Sequence, residues 1–266
     1  MHFPARAVRS LVGLSALLTA IVDAANAPDL LDVGIVFPRE NETYELTDYV
    51  PIIFGLQNAD KATNLHLIID YFIRNGTENR ETFSHSKYDL TDADFSTEPY
   101  IVNHWRKVDT EGHFQVFGSV SWRLCDESGE DVAMARNSSN LSVHFEIKRG
   151  AQKIDIPTVT AAKISCSEWS GITLNVTGQT RRIPNSDEVC PVIVTPSPAA
   201  TANPCRVEIG TAAAASMSDA LHTSLCKGTN PPSDCPKDED RSSKQLVVAV
   251  MATFAAVIGV VGFLNT

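Results

Sequence analysis

The chain has 266 residues, 43% of them hydrophobic and 20% charged, and a net charge of −10. An acidic chain of this kind gains nothing from a polyanion, so nucleic acid is excluded as an expected partner and the charge is read as serving solubility. Its six cysteines, Cys125, Cys166, Cys190, Cys205, Cys226 and Cys235, are even in number and form no CxxC pair, which argues for three disulfides in an oxidising compartment and against a metal site.

The chain opens with a basic stretch (Arg6, Arg9), an apolar run Leu11–Val22 and the small-residue pattern Val22-Asp23-Ala24. Residues 1–24 are therefore expected to be a signal peptide cleaved near Ala24. From Leu31 to Lys148 short runs rich in β-branched and aromatic residues alternate with turn signals: Leu31–Phe37, Val50–Leu56, Leu65–Ile73, Phe114–Leu124 and Leu141–Ile147. This pattern predicts a mainly β fold, with residues 25–148 forming an immunoglobulin-like antiparallel β-sandwich. The polar stretch Asn79–His104 is expected to be an edge strand or a long surface loop.

Arg149–Pro157 reads as a linker into a second, smaller unit ending at Cys235. Strands are expected at Ile172–Thr177, Cys190–Val194 and Cys205–Ile209, followed by a helix over Thr211–Leu225. The alanines favour helix, and Met217, Leu221 and Leu225 form an apolar stripe. So small a unit (residues 149–235) needs staples. The expected pairs are Cys205–Cys226 across the strand–helix hairpin, Cys166–Cys190 around Ile172–Thr177, and Cys125–Cys235 by elimination, tying the units together. Six cysteines allow 15 pairings, so this is a ranked choice.

After the polar spacer 236–245 comes Leu246–Leu264, an uncharged run close to the roughly 20 apolar residues that cross a bilayer as a helix. Only Asn265 and Thr266 follow, with no basic inner flank. The layout is that of a glycosylphosphatidylinositol (GPI) attachment signal, favoured over a retained transmembrane helix. Either reading makes the membrane a partner through the C-terminal anchor and puts the chain on the extracellular side of the plasma membrane or in the cell wall. Five sequons, at Asn41, Asn75, Asn137, Asn140 and Asn175, mark expected N-glycosylation sites.

The motifs of known chemistry are missing. There is no G-x-S-x-G elbow, no HExxH and no glycine-rich phosphate loop. Asp89, Asp92 and Asp94 are the densest carboxylates, but one sequence cannot set the separation that glycoside hydrolysis needs, and a solvated acidic loop is the simpler reading. No catalytic residue, metal ligand or cofactor is assigned. Trp105 and Trp169, in polar surroundings, are the weak candidates for a sugar-stacking surface; Trp122, among alternating apolar residues, reads as core.

The segments Asp32-Val-Gly-Ile-Val-Phe-Pro-Arg39, Asn41-Glu-Thr-Tyr44, Pro51-Ile-Ile-Phe54 and Leu56-Gln-Asn58, with Asn203-Pro-Cys-Arg-Val207 and the Ala/Ser helix ending at Cys226, resemble a family of fungal secreted proteins defined only by a domain of unknown function. The resemblance spans about Leu31 to Cys235. It implies a fungal, secretory or cell-surface product and transfers no activity or catalytic residue. The expectation is a non-enzymatic surface glycoprotein, a structural or interaction module that meets wall polysaccharide or surface proteins. The alternatives are a carbohydrate-binding module and a glycoside hydrolase.

Overall fold

The computed structural model describes residues 30–76, 81–129, 131–161, 170–194 and 207–236. The expected signal peptide, Trp169, Cys166, Cys205 and Leu246–Leu264 lie outside them. Among the described residues, no helix is long and apolar enough to cross a membrane.

The described residues form a fold of ten strands: β1 (Leu30–Phe37), β2 (Glu42–Tyr44), β3 (Tyr49–Gln57), β4 (Ile68–Asn75), β5 (Glu81–Asp89), β6 (Tyr100–Lys107), β7 (Gly112–Asp126), β8 (Ala133–Ile147), β9 (Gly171–Arg182) and β10 (Val189–Val194). Two helices, α1 (Ile156–Thr160) and α2 (Thr211–Cys226), complete it. One sheet has the order β10-β9-β1-β3-β6 and the other β2-β8-β7-β4-β5. All pairings are antiparallel except β2 with β8, which is parallel. The chain passes from the first sheet to the second at the cis peptide Phe37–Pro38.

The sheets share one core. Phe54 of β3 meets Tyr71 of β4 across it at 5.2 Å between ring centroids, and Phe114 stacks on Phe145 at 5.6 Å. Strands β7 and β8 follow the alternation expected of strands with one wet face: Val116 and Val120, and Leu141, Val143, Phe145 and Ile147, point inward. Strands β1 and β3 do not alternate. They are buried on both faces, which is why they read as continuous apolar runs. Their outer face is covered by the C-terminal part of the chain. Val207 sits against Gly55 of β3, α1 touches β1, and Met217 of α2 belongs to the same core.

This corrects the two-unit division at Arg149. Strand β9 pairs with the free edge of β1 from Leu30 opposite Asn175 to Gly34 opposite Gly171, and β10 extends the sheet beyond it. The expected linker is also bound in: Glu45 N–H donates to Gln152 O at 2.7 Å and Lys148 N–H to Tyr44 O at 2.9 Å. Residues 149–235 are thus a continuation of one sheet plus its cover. A polar sequence concealed this, because the contacts are made by backbone groups.

Other elements differ in detail. The expected strand Cys205–Ile209 is, over Val207–Ile209, an irregular segment crossing the outer face of the sheet; Ile209 N–H donates to Thr160 Oγ1 instead of to a neighbouring strand. Leu65 and Leu67 are buried but precede β4, because His66 adopts a positive φ of 47° that interrupts the extended chain. The polar stretch Asn79–His104 contains β5 and most of β6, the last strands of their sheets on one side. Edge strands bury only part of each face, so their sequences stay polar. Helix α2 matches its expectation closely. Of its stripe only Met217 is buried, with Leu221 and Leu225 half-buried.

Candidate functional site

Among the described residues, two places gather side chains able to do chemistry. The first is the rim where β5 and β6 face each other. Inward-facing Ser86 and Tyr88 of β5 meet His104 and Arg106 of β6, above Tyr71 of β4. Ser86 Oγ lies 3.3 Å from His104 Nδ1, and the Tyr88 and His104 rings meet edge-on at 6.1 Å. Burial, reinforced by the Arg106 charge, lowers His104 to about 4, so its ring is neutral at physiological pH. Burial also raises the Tyr71 and Tyr88 hydroxyls. Neither hydroxyl, nor Arg106 Nε, finds a well-directed hydrogen bond.

A neutral histidine beside a serine invites comparison with a nucleophile and its base. Serine has one proton, however, and Ser86 Oγ donates it to His85 O at 2.9 Å. His104 has no carboxylate among its hydrogen-bond partners to orient it. The cluster is a polar seam closing one side of the core.

The second place is a groove of about 460 Å³ at the β2 edge of the other sheet. That is within the range of about 300–1,000 Å³ typical of small-ligand sites. The outward side chains of His113 and Gln115 on β7 and of His144 and Glu146 on β8 line it, with Asn41 and Thr43 at one wall and Gly76 at the other end. Cross-strand register places His113 beside Glu146 and Gln115 beside His144. His144 Nδ1 lies 3.2 Å from Glu40 Oε1, Thr43 Oγ1 donates to Glu146 Oε2 at 3.0 Å, and Gln115 Nε2 donates to Ser142 Oγ at 2.8 Å. Both histidines are more than half exposed. Asn41, in a left-handed turn at φ 59°, is fixed against β8 by its backbone N–H donating to His144 O at 2.7 Å.

The residues singled out from sequence do not converge. Asp89 Oδ1 accepts from Thr91 N–H and Oγ1, and Asp94 Oδ1 accepts from Ser96 N–H, so both carboxylates stabilise turns. The Thr91 hydrogen bonds hold Asp89 below the usual carboxylate range, opposite to the shift a general acid needs. Trp122 is core, as expected. Trp105 is half-buried against the core with its indole N–H buried and unpartnered, so its ring is largely committed to packing. His144 is exposed. Neither the seam nor the groove carries a recognisable motif. The only sequence signals were His113 and His144 at outward positions of clean β alternation and the Asn41 sequon beside them.

All three expected disulfides are corrected by the two that are seen. Cys125 pairs with Cys190 and Cys226 with Cys235. Cys125 lies at the end of the long strand β7 and Cys190 on the edge strand β10, so their bond ties the two sheets together on the side opposite the seam. Cys226 ends α2 and the chain turns back within nine residues. The strand of the hairpin that favoured Cys205–Cys226 does not form over Val207–Ile209, which docks on Gly55 and Thr160 instead.

A mainly β protein with one antiparallel and one mixed sheet, stapled by disulfides and lacking an assembled catalytic constellation among its described residues, defines the general class. A family model matches residues 26–235 under the description "Domain of unknown function (DUF7136)", and the chain belongs to that family. The match covers all ten strands and both helices, in keeping with one continuous core. Comparison with curated proteins and with solved structures finds no match.

Proposed function

We propose that the chain is a non-enzymatic secreted glycoprotein, held at a fungal cell surface or wall by its C-terminal segment and acting there as a structural or interaction module. The observation that carries this reading is the pair of disulfides, Cys125–Cys190 joining distant parts of the β fold and Cys226–Cys235 closing the turn after α2, because such bonds form and persist in oxidising compartments. The sequons support it: Asn41, Asn137 and Asn140 are exposed on or beside strands, where a glycan costs no packing. The fungal source rests on the motifs quoted above.

In finer detail, the fold is read as an immunoglobulin-like sandwich. Taking β1, β3 and β6 as strands A, B and E, and β8, β7, β4 and β5 as G, F, C and C′, reproduces the strand neighbours of that fold. β2 then continues strand A alongside G, and β9 and β10 widen the A-side sheet.

Expression with its own leader in a fungal host tests the proposal. The expected product is disulfide-bonded, loses mass on glycosidase treatment, and leaves intact cells on treatment with phosphatidylinositol-specific phospholipase C. Cytosolic retention at unmodified mass overturns it. A carbohydrate-binding role keeps Trp169 and the rim of Trp105 as its residues, and pull-down on chitin and β-glucan is its test.

A further inference from the structure

We propose that the groove beside Asn41 is the seat of the protein's own N-linked glycan, which lies against His113, His144 and Glu146 instead of projecting into solvent. The inference rests on the reading of the chain as a secreted glycoprotein. The ligand class is the N-acetylglucosamine core attached at Asn41.

Asn41 is itself a wall of the groove, so a sugar on its side chain begins inside the groove. Its starting point is rigid. The Asn41 N–H bonds to His144 O, and the next residue, Glu42, enters the parallel ladder opposite Phe145. Phe114 and Phe145 contribute an apolar part of the lining, and the remaining side chains, His113, Gln115, His144 and Glu146, exchange hydrogen bonds with sugar hydroxyls and an acetamide. The His113 and His144 rings are exposed, and the Glu146 carboxylate is about one-third exposed. The other fully described sequons differ: Asn137, Asn140 and Asn175 lie on strands away from the groove lining. Among the described sequon asparagines, Asn41 alone lines this groove. Gly76, at the other end, belongs to the Asn75 sequon, whose Thr77 lies outside the described residues.

The test is site-resolved deglycosylation of the secreted full-length protein, native and denatured, read by glycopeptide mass spectrometry. The Asn41 glycan is expected to be released about tenfold more slowly than the Asn137 glycan from the native protein, equivalent to about 1.4 kcal/mol of protection. The two rates should match after denaturation. The double variant His113→Ala/His144→Ala, which leaves the sequon intact, should bring the native Asn41 rate to that of Asn137. Both substitutions are at exposed positions, and a far-ultraviolet circular dichroism spectrum checks the fold. Equal native rates, or an unoccupied Asn41 beside other occupied sequons, overturn the seat while leaving the glycoprotein reading intact. If no sequon is occupied, the glycoprotein reading fails and the seat with it.

Discussion

Gly55 of β3 and Val207 of the crossing segment are in direct contact: a Cβ built on Gly55 would lie 3.1 Å from both Val207 methyls and 2.8 Å from Val36 Cγ2. The absence of a side chain at residue 55 is what lets the C-terminal segment lie flat on the sheet. Gly55→Val should therefore destabilise the fold by about 1–3 kcal/mol through overpacking, read as a lowered midpoint in urea or thermal unfolding. Val207→Ala should recover part of the loss, because it trims one of the two clashing partners, and a double-mutant cycle would show coupling. Additive effects would mean that the segment is not docked there.

The same docking can be tested through a hydrogen bond. Thr160 is fully buried; its Oγ1 donates to Ile156 O at 2.8 Å and accepts from Ile209 N–H at 3.0 Å. Thr160→Val keeps the shape but strands a buried N–H, with an expected cost of about 1–3 kcal/mol. Thr160→Ser, which keeps the acceptor, should lose less. Equal losses from the two variants would assign the effect to packing alone.

The two disulfides should differ in worth. In the chain-entropy account, a loop with the sequence separation of 65 between Cys125 and Cys190 is worth about 4 kcal/mol. The separation of 9 between Cys226 and Cys235 gives about 2.5 kcal/mol. Replacing the first pair by serines should lower the unfolding midpoint more than replacing the second. Non-reducing peptide mapping should recover these two links and join the remaining cysteines, Cys166 and Cys205, to each other; any other pairing contradicts the arrangement.

The seam predicts a pH dependence. Above the unfolded histidine value of about 6.5, His104 is neutral in both states. As pH falls towards about 4, the unfolded chain binds a proton that the folded chain refuses, so folded stability declines across that window. Allowing for its partial exposure, the loss is about 1–2 kcal/mol. His104→Gln should flatten the profile between those limits. The Asp89 carboxylate, held low by Thr91, contributes stability that is lost only at more acid pH. An unchanged slope in the variant would rule His104 out as the source.

Strand alternation made most of the β-sheet core legible in the sequence. Leu141, Val143, Phe145 and Ile147 point inward as expected, and the runs around Val50–Leu56 and Leu31–Phe37 are strands. That both strands are buried on both faces was not read from the sequence, and the position of Val207 shows what covers the outer one. Pairing partners are set by backbone register, which composition does not encode. The union of β9 with β1 and the bond between Cys125 and Cys190 were therefore hidden. The groove escaped notice because its histidines stand 31 residues apart in sequence and meet only through the β7–β8 register. The seam escaped because Ser86 and His104 sit on edge strands whose polar sequence resembles a loop.

Among the described residues β10 is the outermost strand of the β10-β9-β1-β3-β6 sheet, and this has a consequence for self-association. An open sheet edge is a template on which another copy could add a strand. Here the edge strand β10 has Pro191 near its middle, and its register with β9 breaks between Pro191 and Ile193. Proline has no N–H to offer an incoming strand, and the break removes the even spacing that a ladder requires. Although Val189 and Val194 leave apolar surface at its ends, the edge between them resists growth into a fibre, and neighbouring copies can be concentrated side by side without polymerising.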